Sequence, residues 1–367
     1  MTMSNRFAKD SAEILLQKFQ AGHVDRRGFL TALAALGLGV TLRPSTGNAA
    51  ENEIVLCNWG GVAVDAFQEA FGGPFTAQTG MKLVIDGAGP ALGSVRTMVD
   101  SGNVIWDVMD NGLIDARVLA TGNYVEPIDY SIVDKNKVPN FAQEFGVGNY
   151  AFANVLFHNK KATGADTLTD WRDFFDFEKF PGKRTMCKWI QGQLEVVLLA
   201  DGVAPENLYP LDVDRAFAKL QPHLDKIIFW EGGAQSQQLF RDGEVVMGNI
   251  WHTRAKLLVQ ENSDYAITWN QNTLLVSAWS VPKGNPAGKK VFEFINSALD
   301  PEPQITLLRL MGNGPTNPAA EALMTDEDRV FNPTSGTNTT GQVLVDPAWY
   351  AAHEAEVQNK FLDLIAT

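Results

Sequence analysis

The sequence predicts an α/β fold built on mainly parallel sheets, and three observations predict it. Short apolar runs such as residues 54–57 lack polar alternation, so they suit strands buried on both faces. Segments of helical periodicity follow them, as at Val64, Phe67 and Phe71. Glycine turns such as Gly60-Gly61 lie between, where the backbone bends sharply and can face a ligand. Strand, glycine turn, helix is the unit of open α/β sheets, which bind ligands at the carboxyl edge of their strands.

In order, strands are expected at 54–57, 81–85, 106–110, 150–158, 184–187, 227–230, 245–251 and 274–281. Helices are expected from Val64, then over 94–101, 113–121, 171–175, 194–199, 212–220, 236–240 and 291–299, with a last one from Pro347. Asp170 and Asp212 stand where helix N-caps belong, and Gly122-Asn123 has the composition of a helix end. Residues 311–317 read as a Gly/Pro loop and 331–343 as a polar surface loop. The run Gly87-Ala88-Gly89-Pro90 resembles a dinucleotide fingerprint only superficially, because the third glycine falls one residue late, at Gly93.

The first fifty residues read as an address. Arg26-Arg27 precedes an apolar stretch over 30–42, too short to span a bilayer, and small residues follow at 47–50. This resembles a twin-arginine export signal, so the mature chain is expected in the periplasm. Residues 1–50 hold six basic and three acidic side chains, which leaves 24 basic against 40 acidic and a net charge of −16. Such a balance argues against nucleic acid or an anionic membrane as partner. Cys57 and Cys187 are far apart in sequence, and two buried thiols are expected rather than a disulfide.

Several chemistries find no motif. The five histidines never fall at metal-ligand spacing, so no metal or other cofactor is expected. There is no Gly-x-Ser-x-Gly elbow and no phosphate loop, and no enzyme is expected. Aromatic and polar residues instead gather at strand and helix ends: Trp59, Gly60, Asp110, Asn111, Trp189, Glu195, Gln235, Trp251 and Arg254. A tryptophan face attracts organic cations, a carboxylate anchors an ammonium, and Arg forks onto a carboxylate.

Several stretches resemble the periplasmic solute-binding proteins of ABC importers, nearest to the spermidine/putrescine-type branch. They include Asn58-Trp59-Gly60-Gly61, Leu168-Thr169-Asp170-Trp171, Phe180-Pro181-Gly182-Lys183-Arg184, Asp242-Gly243-Glu244-Val245-Val246-Met247 and Gly314-Pro315-Thr316-Asn317. The likeness runs the length of the mature chain. It implies a two-lobed type II binding-protein fold with a cleft between lobes joined by two crossing strands. Lobe 1 would comprise 51–155 with about 275–325, and lobe 2 would comprise 156–274 with about 326–367. It also implies a monomer that delivers a small-molecule solute to a permease and its ATPase.

By the same resemblance Trp59 and Trp251 stack on the solute, Asp110-Asn111 makes a polar contact, and Glu195 or Trp189 lies in the stretch supplying an acidic anchor. Two positions depart from the polyamine pattern. Ser277 stands where those proteins carry an aspartate, and Val62 where they carry an aromatic. The implied solute is a polyamine. A zwitterion such as a γ-aminobutyrate-like compound is the alternative, because Arg254 suits a solute with its own carboxylate. A periplasmic hydrolase or lyase using Asp110 and Glu195 as acid and base is the third class.

Overall fold

The computed structural model describes residues 52–366; the expected export signal lies outside the described residues. The strands are β1 (Glu53–Cys57), β2 (Lys82–Asp86), β3 (Val108–Gly112), β4 (Val125–Glu126), β5 (Val147–Asn159) and β6 (Arg184–Cys187). They continue with β7 (Ile227–Trp230), β8 (Met247–Trp251), β9 (Tyr265–Pro282), β10 (Gly314–Pro315) and β11 (Val343–Leu344). One sheet holds them in the order β2-β1-β3-β9-β5-β8-β6-β7, with β10 on β5 and both β11 and β4 on β9.

The sheet has two parallel halves. In one, β1 runs parallel to β2 and β3; in the other, β6 runs parallel to β7 and β8. Each half meets an antiparallel member of the central pair, β3 against β9 and β8 against β5. The 13-residue β5 and the 18-residue β9 pair along their lengths, from Val147↔Trp279 to Asn159↔Tyr265, and so cross from one half to the other. This is the two-lobed arrangement with two crossing strands. The register of the pair shifts twice, between Gly148 and Tyr150 and between Asn154 and Leu156.

Each half buries its own apolar face. Ile54, Leu56, Phe67, Phe71, Phe75 and Trp279 pack in one core, and Phe67 and Phe71 meet Trp279 edge to face. Trp171, Phe174, Leu194, Leu198, Tyr350 and Phe361 pack in the other. The expected caps form: an oxygen of Asp170 accepts from the Arg172 amide and one of Asp212 from the Arg215 amide. No described helix is long and apolar enough to cross a membrane. Cys57 and Cys187 are both free and buried, and burial pushes the Cys187 thiol up to about 12.

Four stretches differ most from expectation. The helices His252–Glu261 and Pro301–Met311 were not read from the sequence, and β9 begins nine residues before the expected Leu274. The polar stretch 331–343 is no simple surface loop. Asn332 and Asn338 are buried in it, and the Asn338 amide donates to the carbonyls of Arg329 and Val330, which end the helix Asp326–Val330, and to that of Asn332 in the loop.

Candidate functional site

At the end of β1 the chain must turn at once. The Asn58 Oδ1 accepts from the Gly60 amide (3.0 Å), and Gly60 takes φ +69°. A Cβ on Gly60 would stand 2.5 Å from the Gly87 carbonyl oxygen, so only glycine fits. The turn places Trp59 at the carboxyl edge of the sheet, with the Gly89 loop behind its ring. From the other half, β8 delivers Trp251 to the same place. The two indoles meet edge to face with centroids 6.3 Å apart. Trp230 and Phe152 brace Trp251 at 5.0 and 6.2 Å, the offset geometry that aromatic quadrupoles favour.

Beneath these rings lies a cavity of about 550 Å³. Of the ten site residues expected from the sequence, Trp59, Asp110, Trp189, Trp251, Arg254 and Ser277 line it. Asp110 is 1 % exposed. It accepts hydrogen bonds from Ser277 Oγ (2.7 Å), from the Tyr150 hydroxyl (2.9 and 3.0 Å) and from Asn149 Nδ2 (3.2 Å). Burial pushes its carboxyl up to about 6, against the pull of those donors. The polyamine pattern wants a carboxylate at position 277; here one sits against Ser277 from the neighbouring strand β3.

Arg254 projects from the helix His252–Glu261 and is 3 % exposed. Its Nε is buried without a hydrogen-bond partner, and no carboxylate among the described residues pairs with it. Burial pulls its basicity down, opposed only by Tyr150. Its place depends on Gly233, where a Cβ would lie 2.3 Å from the Arg254 Nε. Trp189, 40 % exposed, stands at the mouth, its indole N–H donating to the Glu231 carbonyl at 3.2 Å.

Four expected residues lie off the cavity wall. Gly60 shapes the turn behind Trp59. Asn111 is buried between β3 and β9, where its Oδ1 accepts from Ser280 Oγ (2.9 Å). Gln235 is exposed and caps its own turn, accepting from the Glu231 amide (2.9 Å). Glu195 is fully buried, its carboxylate accepting from Tyr209 (2.5 Å) and Tyr350 (3.0 and 3.1 Å). Tyr350 comes from 155 residues away, and the group staples the C-terminal helix Pro347–Ile365 against the helix Gln193–Ala200. Asp110 and Glu195 therefore do not share the cavity as an acid–base pair.

Residues the sequence reading passed over complete the wall. Tyr150 and Phe152 come from β5, and Asn313 from the turn after the helix Pro301–Met311. Near the mouth, Gln191 Nε2 donates both to Asp115 Oδ1 (2.9 Å) and to Glu354 Oε1 (2.6 Å). Asp115 follows β3 whereas Gln191 follows β6, so this amide ties the two halves together. Burial, then the nearby Asp115, raises Glu354 to about 7, and burial raises Glu195 to about 7.

These acids set a pH dependence. Asp110, Glu195 and Glu354 hold their protons more tightly folded than unfolded, so the folded chain binds more protons between about pH 4 and 7. The stability these three groups contribute is therefore complete below that window and is lost as the pH rises through it, while His158, His223 and His252, whose pKa values burial lowers, act in the opposite sense near pH 6. Calorimetric unfolding should show a higher midpoint at pH 5.5 than at pH 8; the opposite order would mean that the buried imidazoles outweigh the three carboxyls.

A family model described as bacterial extracellular solute-binding protein matches residues 64–331. The chain belongs to that family. This binding protein is 30 % identical over 329 residues to a gamma-aminobutyric acid-binding protein of Pseudomonas aeruginosa, 85 % of its own chain and 91 % of the relative. A solved GABA receptor shares 34 % identity at a TM-score of 0.78, covering 86 % of the binding protein and 98 % of that chain. An ABC transporter substrate-binding protein from Bradyrhizobium japonicum shares 32 % at 0.78, covering 85 % and 99 %. A spermidine/putrescine substrate-binding protein from Streptococcus pneumoniae shares 16 % at 0.65, covering 86 % and 99 %, a likeness of fold alone. The binding protein is the substrate-binding component of an ABC transporter, a class that takes small solutes to a permease and ATPase.

Proposed function

We propose that this chain captures a small zwitterion, an amino acid of the γ-aminobutyrate kind. The observation that carries the reading is Arg254, a buried guanidinium on the cavity wall that no carboxylate among the described residues pairs with. A buried cation without a partner is costly, and a solute carboxylate supplies the planar acceptor that its fork fits. The ammonium end then faces Asp110 and the indoles of Trp59 and Trp251. A polyamine, the reading nearest the family resemblance, would bring a second cation toward that unneutralised guanidinium. The names of the relatives at 30 and 34 % identity point the same way.

The rest of the reading follows the family. The two lobes divide at about residues 155 and 275, with the C-terminal helix in the second, as its Gln358 contacts to Ile190 and Lys188 favour. The protein acts as a periplasmic monomer exported by its twin-arginine signal and turns nothing over. Solute touching both lobes stabilises the closed arrangement selectively.

Titration calorimetry with γ-aminobutyrate and putrescine tests the solute. Binding of γ-aminobutyrate with no heat from putrescine is expected; tighter binding of putrescine would overturn the zwitterion and restore the polyamine.

A further inference from the structure

Gln191 holds two acids at once. Its Nε2 donates to Asp115 Oδ1 at 2.9 Å and to Glu354 Oε1 at 2.6 Å, one hydrogen to each. Two acceptors on a single nitrogen stand within about 6 Å of each other, the range over which like charges oppose ionisation. The three side chains come from both halves of the sheet. Asp115 lies in the first turn of the helix Leu113–Thr121, which follows β3, whereas Gln191 follows β6. Glu354 lies on the helix Pro347–Ile365, and that helix is fixed to the half of Gln191. Its Gln358 accepts from the Ile190 amide (3.0 Å) and donates to the Lys188 carbonyl (3.0 Å), and its Tyr350 donates to Glu195. Gln191 and Glu354 thus belong to one body, and Asp115 meets them from the other.

The two carboxyls are not equivalent. Asp115 Oδ2 accepts from the Gly112 amide (2.9 Å), and the positive end of a helix favours a carboxylate in its first turn. Glu354 sits within its helix, away from either end, and its Oε2 is buried without a hydrogen-bond partner. Asp115 therefore keeps its charge and Glu354 takes the proton. Burial raises both carboxyls, and Asp115 pushes Glu354 further, to about 7. Arg96, from the helix Leu92–Asp100, pulls Glu354 the other way more weakly. Other charges nearby are committed elsewhere, Lys188 to Glu231 and Glu356 to Lys360, and His353 stacks on Trp349.

We infer that Gln191 is a positioning residue that latches the closed arrangement, and that the latch takes up one proton as Asp115 meets Glu354 across it. The inference rests on the closure proposed above, not on the identity of the solute. Opening carries Glu354 away from Asp115 and into water, which returns it toward the ordinary value for Glu, about 4.3. The closed arrangement then binds more protons between about pH 4 and 7. Closure is favoured below that window, and the advantage is lost as the pH rises through it.

Spin labels report the two arrangements without solute. Lys82→Cys and Asp225→Cys place them at exposed positions by β2 and β7, the strands at opposite ends of the sheet order, while both native cysteines are buried. The ratio of closed to open distances should be about tenfold higher at pH 5.5 than at pH 8. Glu354→Gln imitates the protonated acid and should hold the ratio near its pH 5.5 level at both values. Gln191→Leu removes the donors and should lower the ratio at pH 5.5 to the parent's pH 8 level or below. A parent ratio indifferent to pH, or a pH response undiminished in Glu354→Gln, would overturn the proton uptake and leave closure in place. An unchanged ratio in Gln191→Leu would overturn its positioning role. One unvarying distance, with γ-aminobutyrate or putrescine present as well as absent, would remove the closure and the inference with it.

Discussion

Arg254→Met is expected to abolish solute capture while raising the unfolding temperature of the ligand-free protein. The two effects share one cause. The guanidinium is buried, its Nε has no partner, and burial opposes its charge. Holding an ion in such a place costs several kcal/mol, so a flexible apolar side chain of similar length relieves the folded state. The same substitution removes the charge that a carboxylate would meet away from water. Truncating one partner of such a pair costs about 2–5 kcal/mol, or about 30-fold and upward in affinity. Calorimetry for binding and for unfolding would read both. Lower stability with unchanged affinity would show that Arg254 is an internal strut and would remove it from the site.

Trp59→Ala carries the second largest effect, about 10–100-fold weaker binding at nearly constant stability. The ring offers an apolar plate and a quadrupole to an ammonium, the latter worth about 0.5–2 kcal/mol as water is excluded. Losing both plate and quadrupole accounts for the range. Stability holds because the ring is only half-buried at a strand end, and the turn beneath it is fixed by Asn58 and Gly60. Trp251 would behave differently, since Trp230 and Phe152 lean on it and its loss would weaken the fold as well. A Trp59→Ala protein that binds as the parent does would exclude this face of the cleft.

The elements most legible in the sequence were those that carry their own local signal. Apolar runs without alternation marked β1 and β7, the Pro181-Gly182 turn marked the start of β6, and Asp170 and Asp212 marked helix starts through their short side chains. The helix His252–Glu261 was not legible, because its buried members include His252, Thr253, Arg254 and Lys256, polar types that hydropathy assigns to the surface. Its burial is satisfied by carbonyls of Leu308, Arg309 and Gly312, some fifty to sixty residues away. Glu195 shows the same limit in reverse. A carboxylate near a helix start invites a ligand, and only the approach of Tyr209 and Tyr350 reveals that it is already occupied. Trp59 and Arg254 were legible as chemistry but not as a pair, since no spacing along the chain reports a cavity shared by two sheet halves. Asn313 gave no signal, because nothing in its local sequence says that the helix before it ends at a cavity.

The paired strands β5 and β9 have a mechanical consequence. A single linker would let two bodies swing and spin about it in any direction. Two hydrogen-bonded strands side by side form a ribbon, which bends across its flat face far more easily than it shears in its own plane or slides along its length. The breaks in register near Gly148 and Asn154 put compliance within the stretch that crosses between the halves. The closure proposed above would thus reduce to one angle, as in a door on a flat hinge. Trp59 and Trp251 would return to the same mutual alignment on every swing, and a solute would need only to arrest one coordinate rather than find a rare orientation among many.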